Sequence, residues 1–150
     1  MINLTLAEQI SVITFGAIPA ESESDLIHRI FKEAAQRKIL IDMISRVPTA
    51  ADKTAVGFTF RDEDTPEVLK ITNALHCGGT PIISSGNVKI VIQSAEMIDG
   101  VGFAERVFEA LCSSNTAPVL ITTALDEISM VVRESDSSEL IRKLNELFQS

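Results

Sequence analysis

The sequence predicts an α+β fold in which one β-α-β-β-α pattern occurs twice. Three observations carry that expectation. Strand-type alternation in residues 2–6, 10–15 and 55–60 is interleaved with helical spacing, as at Leu26, Ile27, Ile30, Phe31 and Ala34. The elements come in the same order in both halves. The halves also align residue by residue: Ile30-Phe31 with Val107-Phe108, Ile44 with Ile121, Phe60-Arg61-Asp62 with Val132-Arg133-Glu134, and Val68-Leu69 with Leu140-Ile141. The order is that of a ferredoxin-like split βαβ unit lacking one edge strand, so two antiparallel sheets with helices on one face are expected.

In the first half, Ile2-Asn3-Leu4-Thr5-Leu6 and residues 10–15 read as half-buried strands. Residues 16–23 form a loop holding Pro19. Ser24 is the expected N-cap of the first helix, and Arg37 and Lys38 suit its negative end. Residues 39–44 read as a buried strand and residues 48–53 as a turn. Residues 55–60 form a strand with Val56, Phe58 and Phe60 on one face. Residues 62–65 supply cap residues, Pro66 fits a first helical position, and Val68, Ile71, Thr72 and Leu75 carry the helix. Residues 77–86, with Gly78-Gly79, Pro81 and Ser84-Ser85-Gly86, read as a linker in which Ile82-Ile83 pairs only briefly.

In the second half, residues 88–93 form a strand. Gly100 and Gly102 then open a helix whose expected apolar face is Val101, Ala104, Val107, Phe108 and Leu111. Glycine permits a tight turn there, and a helix start suits a carboxylate or phosphate, although most such starts bind nothing. Residues 118–122 and 128–132 are strands. Asp136-Ser137-Ser138 caps a last helix bearing Leu140, Ile141, Leu144, Leu147 and Phe148. The longer first-half loop around residues 48–52 absorbs the change of register.

Composition narrows the function. The chain has 150 residues, 45% hydrophobic and 23% charged, which fits one globular domain or two small ones. Its net charge of −8 leaves no basic stripe for phosphate backbones, and without Trp or Tyr it has few stacking platforms, so no nucleic acid is expected. No run approaches bilayer length and no basic-then-apolar leader opens the chain, so no membrane and a cytoplasmic location are expected. Cys77, Cys112, His28 and His76 show no ligand spacing, so no metal and no cofactor are expected. Glu105 and Arg106 read as a solvated pair, and Ser84-Ser85 lacks a histidine partner. Asp42, flanked by apolar residues, faces either a ligand or an edge. Met43 and Met130 read as core.

Several stretches resemble a tandem pair of ACT domains, and more narrowly the regulatory region of aspartokinase. They are Ile18-Pro19 followed by Ile30-Phe31-Lys32-Glu33-Ala34, Ile41-Asp42-Met43-Ile44, Val88-Lys89-Ile90-Val91, Asp99-Gly100-Val101 with Val107-Phe108-Glu109-Ala110-Leu111, Ile121-Thr122-Thr123, Ile128-Ser129-Met130-Val131-Val132 and Leu144-Asn145-Glu146-Leu147-Phe148. The resemblance implies a first ACT unit at residues 7–80. It implies a second at residues 1–6 plus 81–150, to which the N-terminal strand is lent.

By the same resemblance, an amino acid binds between paired units. The implied ligand-binding residues are Ile18, Pro19, Ala20, Glu21, Glu23, Asp25, Asp42 and Arg46 in the first unit and Ile98, Asp99, Gly100 and Val101 in the second. The ligand is lysine or threonine, the assembly a homodimer, and a catalytic kinase a further partner. The sequence departs from the family in the glycine-free turn Ala20-Glu21-Ser22-Glu23-Ser24-Asp25, in Arg46 where many members have Gln, and in Ala117-Pro118 before the second strand. It holds neither a Lys-Phe-Gly-Gly-type nucleotide loop nor a P-loop, so no enzyme activity is expected. The expected function is allosteric control of aspartokinase or a related biosynthetic enzyme; the rival is an assembly module without a ligand pocket.

Overall fold

The computed structural model describes residues 1–75 and 81–149. Its elements are β1 (Asn3–Pro19), α1 (Glu23–Gln36), β2 (Ile44–Ala50), β3 (Lys53–Arg61), α2 (Thr65–Ala74), β4 (Ile82–Gln93), α3 (Glu96–Asp99), α4 (Phe103–Ser113), β5 (Leu120–Thr123), β6 (Glu127–Arg133) and α5 (Glu134–Gln149). The hydrogen-bonded strand order is β2-β3-β1-β4-β6-β5. β1 with β3, β2 with β3, β4 with β6 and β5 with β6 all pair antiparallel. The chain divides into two compact units, Gln9–Ser85 and Met1–Glu8 with Gly86–Ser150.

In the Gln9–Ser85 unit the order runs β-α-β-β-α and ends on the first residues of β4, which lie beside β1. In the flanking unit the rest of β4 begins the same order, and the opening residues of β1 complete it. Both are ferredoxin-like arrangements, each of whose missing strands comes from a strand shared along the chain.

Each unit has its own core. In Gln9–Ser85 alternate residues of β1 and β3 (Ile13, Phe15, Val56, Phe58, Phe60) pack against Ile30 and Ala34 of α1 and Val68 and Ile71 of α2. Phe58 organises this cluster, with Phe31 meeting it edge-on at 5.2 Å and Phe15 and Phe60 at 6.2 Å. The flanking core joins Val88, Ile90 and Ile92 of β4 and Ile128, Met130 and Val132 of β6 to Val107 and Leu111 of α4 and Leu140 and Leu144 of α5.

Several boundaries differ from those expected. Residues 2–6 and 10–15 belong to one strand that runs on through Gly16 to Pro19, across a register shift between Phe15 and Ile18. The residue before α1 is Ser22, not Ser24. Residues 39–43 are irregular and alternate between buried (Ile39, Met43) and exposed (Leu40, Asp42), so the strand starts only at Ile44. Pro48 lies inside β2, which an edge strand tolerates because the missing N–H faces no partner, and the turn shrinks to Ala51 and Asp52. Ser84, Ser85 and Gly86 lie within β4, while His76, Cys77, Gly78 and Gly79 lie outside the described residues. On α4 the buried face is Phe103, Val107, Ala110 and Leu111; Val101 precedes the helix, fully exposed, and Ala104 and Phe108 face outward. α5 begins at Glu134 directly after β6, so Asp136 and Ser137 lie in its first turn, where the Ser137 hydroxyl donates to the Glu134 carbonyl.

Candidate functional site

The start of α1 and the edge strand β2 build a depression of about 490 Å³, lined by Glu23, Ser24, Ile27, Ile44, Arg46 and Val56. The turn entering α1 is held at both ends: the Ala20 N–H donates to Asp52 (2.8 Å) and the Ser22 N–H to Pro19 (3.1 Å). Glu23 is then the first helical residue, where an acid complements the helix dipole. One turn on, Ile27 lies on the same side of the helix. Arg46 stands opposite Val56 in the β2–β3 ladder, so its side chain rises from the sheet beside a buried valine.

The Arg46 guanidinium donates to Glu23 Oε1 from Nε (2.5 Å) and to Oε2 from Nη2 (2.8 Å), a bidentate pair. Nη2 also reaches the hydroxyl of buried Thr54 at 3.5 Å. The hydrogen bond from Arg46 holds the Glu23 carboxyl below its ordinary range, and Glu23 in turn raises the guanidinium further. The partners differ in cover: 12% of the Glu23 side chain is exposed against 53% of Arg46. The acid is anchored while the base can move.

The flanking unit has a different helix entry. α3 makes one turn, and the Gly100 N–H closes it on the Glu96 carbonyl at 2.8 Å. A Cβ on Gly100 would lie 2.3 Å from that carbonyl oxygen, so the position requires glycine. Gly102 caps α4 with a φ of 98°. The depression here is about 90 Å³, lined by Glu96, Gly100, Val101, Gly102, Phe103 and Arg106. Arg106 is not half of a solvated pair. Its guanidinium lies 4.2 Å from the Phe148 ring centroid and donates to the Leu147 carbonyl near the end of α5.

Of the twelve residues implied by resemblance, the structure brings Glu23 and Arg46 together in the first depression and Gly100 and Val101 in the second. The Ile18 side chain is buried in the core, and Pro19 is partly covered. Ala20, Glu21 and Asp25 are exposed, Asp25 lying 3.8 Å from Arg29. Asp42 is exposed ahead of β2, its N–H donating to the Thr59 carbonyl. Ile98 and Asp99 are exposed on α3. Ile27, Ile44, Val56 and Thr54 also belong to the site and lie outside the residues that the resemblance implies. The legible signals for them were the one-turn spacing from Glu23 and the strand alternation that sets Ile44 and Arg46 on one face.

Among the described residues no group of three or more His, Cys, Asp and Glu could hold a metal ion, and no helix is long and apolar enough to cross a membrane.

Two ferredoxin-like units, one inserted in the sequence of the other, with depressions at their helix entries, form the fold that the resemblance to tandem ACT domains implied. No family model matches the chain. It is similar to the aspartokinase of Geobacillus stearothermophilus, 30% identical over 146 residues that span 97% of this chain and 35% of that enzyme. The chain thus spans about a third of the length of the curated relatives it matches. It aligns with their C-terminal part, so these residues include no counterpart of the catalytic kinase domain. Its fold matches the ligand-free regulatory subunit of aspartate kinase from Thermus thermophilus, with a TM-score of 0.84 at 20% identity over 97% of this chain and 96% of that one. It also matches E. coli aspartokinase III in complex with lysine and aspartate (T-state), with a TM-score of 0.70 at 19% identity over 97% of this chain and 32% of that one. The chain resembles the C-terminal regulatory region of aspartokinase.

Proposed function

We propose that this chain is the regulatory part of a cytoplasmic aspartate kinase system, which binds a free amino acid and passes its presence to a catalytic kinase partner. The observation that carries this reading is the Glu23–Arg46 depression, set in a fold shared over nearly its whole length with aspartate kinase regulatory subunits. We read residues 7–80 and residues 1–6 plus 81–150 as its two ACT units. The ligand-binding positions are those named from the resemblance, Ile18 to Arg46 in the first and Ile98 to Val101 in the second. The resemblance favours lysine or threonine as ligand and a homodimer as the assembly.

Physically, the site can act only through a difference in affinity. A ligand that fits one arrangement of the regulatory part better than another shifts the balance by that differential free energy. The test is thermal melting with each proteinogenic amino acid at millimolar concentration. A ligand at about 100 times its dissociation constant adds roughly 2.7 kcal/mol of stability. A second reading, a dimerisation or assembly module, is favoured by one observation: Glu23 and Arg46 satisfy each other in a bidentate pair. Unchanged melting with every amino acid, together with a stable dimer on sedimentation, would establish that reading.

A further inference from the structure

The regulatory reading leaves the ligand's side chain open, and the depression bears on it; the inference here rests on that reading. We propose that the Gln9–Ser85 unit binds one aliphatic L-amino acid per chain: its carboxylate on Arg46, its ammonium on Glu23, and its branched side chain against Ile27, Ile44 and Val56.

The charges come first. A free amino acid carries an anion and a cation one carbon apart, which matches an ion pair that can open. Arg46 has five N–H donors, of which the Glu23 contacts use two. Glu23 is anchored and Arg46 is half exposed, so the guanidinium can swing outward and the zwitterion can enter between them. One ion pair becomes two, with no net charge brought into the site.

The walls decide the side chain. Ile27, Ile44 and Val56 are aliphatic, and Ser24 is the remaining lining residue apart from the ion pair. An aliphatic side chain removes its own surface and theirs from water. Lysine brings a second ammonium, and Glu23 is the sole carboxylate lining the depression. With Glu23 engaged by the α-ammonium, the ε-ammonium would lie against hydrocarbon or return to water, and either loses the gain. Threonine's hydroxyl carries a desolvation cost that an isoleucine or leucine avoids.

The second copy lacks the device. The alignment that pairs Ile44 with Ile121 and Ile30 with Val107 sets Gly100 at the position of Glu23 and Thr123 at that of Arg46. No carboxylate can be placed at Gly100, because a Cβ there meets the Glu96 carbonyl. The stoichiometry is therefore one.

Isothermal titration of the full chain with leucine, isoleucine, valine, lysine and threonine tests this. The expected result is binding of at least one of the three aliphatic amino acids at one per chain, at least tenfold tighter than lysine or threonine, with a negative heat-capacity change. Arg46→Gln should weaken that binding at least tenfold. Ile44→Ser, on a half-exposed side chain at the start of the edge strand, should weaken it severalfold, with Ile44→Val, which keeps the apolar wall, close to the wild type. Tighter binding of lysine or threonine overturns the inference and keeps the regulatory reading. Aliphatic binding indifferent to Arg46→Gln overturns the assignment to this site. No heat with any amino acid at either of two temperatures, together with unchanged melting, overturns the regulatory reading itself.

Discussion

Gln9 and Gly86 stand at equivalent points of the repeat and both hold a left-handed backbone, with φ of 58° and 71°. They are also where the chain passes between its two compact units, at Glu8/Gln9 in β1 and at Ser85/Gly86 in β4. At each of these residues the backbone leaves the extended geometry of the strand. Each long strand thus contributes residues to both units.

The two positions respond differently to substitution. A side chain in the left-handed region costs about 1–2 kcal/mol. Gln9 bears that cost and Gly86 does not. A Cβ on Gly86 would meet open space, so Gly86→Ala should lose about 1–2 kcal/mol to torsional strain and regain about 0.4–1 kcal/mol from the stiffer unfolded chain, a net loss of roughly 0.5 kcal/mol. Gln9→Gly relieves the same strain but loosens the unfolded chain by about 0.4–1 kcal/mol, for a net gain of roughly 0.5 kcal/mol. Urea denaturation of both variants checks the signs. A loss of stability in Gln9→Gly would show that the strain at Gln9 does not outweigh the loosening of the unfolded chain.

The fold class was readable because both periods, two and 3.6, recur in the same order in each half. The structure adds a third register of the repeat. α1 and α4 end alike: Lys38 and Asn115 carry φ of 57° and 53°, Ile39 N–H donates to Ala34 and Thr116 N–H to Leu111. These are matching helix stops of the Schellman type. They were hidden because neither position is glycine. The same limit explains α4. Val101 and Phe108 fit a helical stripe, but spacing alone does not say which stripe faces the sheet; Gly102 starts the helix after Val101 and turns Phe103 inward. At the site, Glu23 and Arg46 could be named as candidates, whereas their pairing could not. It depends on β2 beginning at Ile44, a register that the apolar run at residues 39–44 concealed.

The two glycines ahead of α4 are needed for different reasons, and substitution should separate them. Gly100→Ala drives a Cβ into the Glu96 carbonyl, so the single turn of α3 must open. Gly102 has open space but a φ of 98°. Gly102→Asn should therefore be milder than Gly102→Val, because asparagine tolerates positive φ best among side chains and a β-branched residue worst. The expected cost is about 1 kcal/mol for asparagine and more for valine. Hydrogen exchange at residues 96–103 distinguishes the cases: Gly100→Ala should raise exchange at the position-100 amide, whose bond to the Glu96 carbonyl closes the turn.

Acid should loosen the molecule at identifiable places. Glu23, Glu67 and Glu139 are all held below the ordinary glutamate value of 4.5, chiefly by hydrogen bonds from Arg46, from Lys70 and then Arg37, and from Arg142. A carboxyl whose folded value is lowered stabilises the fold fully above its ordinary value, and the contribution fades as pH falls through the folded value. Urea midpoints should therefore be flat from pH 7 to about 5.5 and fall between about pH 4.5 and 3. Arg46→Gln removes the cause at Glu23 and should make the fall shallower. A fall of unchanged depth would show that the pair does not persist in solution.

Arg106 offers the sharpest check on the flanking core. Its guanidinium lies over Phe148 and donates to the Leu147 carbonyl, so it joins α4 to the last turn of α5. Arg106→Ala should cost about 1 kcal/mol, combining a partly exposed cation–π contact with a lost helix-end hydrogen bond. Arg106→Lys should recover part of it, since an ammonium can sit over the ring but cannot reproduce the planar fork. Phe148→Leu keeps most of the apolar contact, including that with Phe103 at 4.9 Å, and removes the ring face under the cation. If the ring face matters, Arg106→Ala and Phe148→Leu are non-additive in a double-mutant cycle, with a coupling of about 0.5–1 kcal/mol. Strict additivity would reduce Arg106 to a cap on α5.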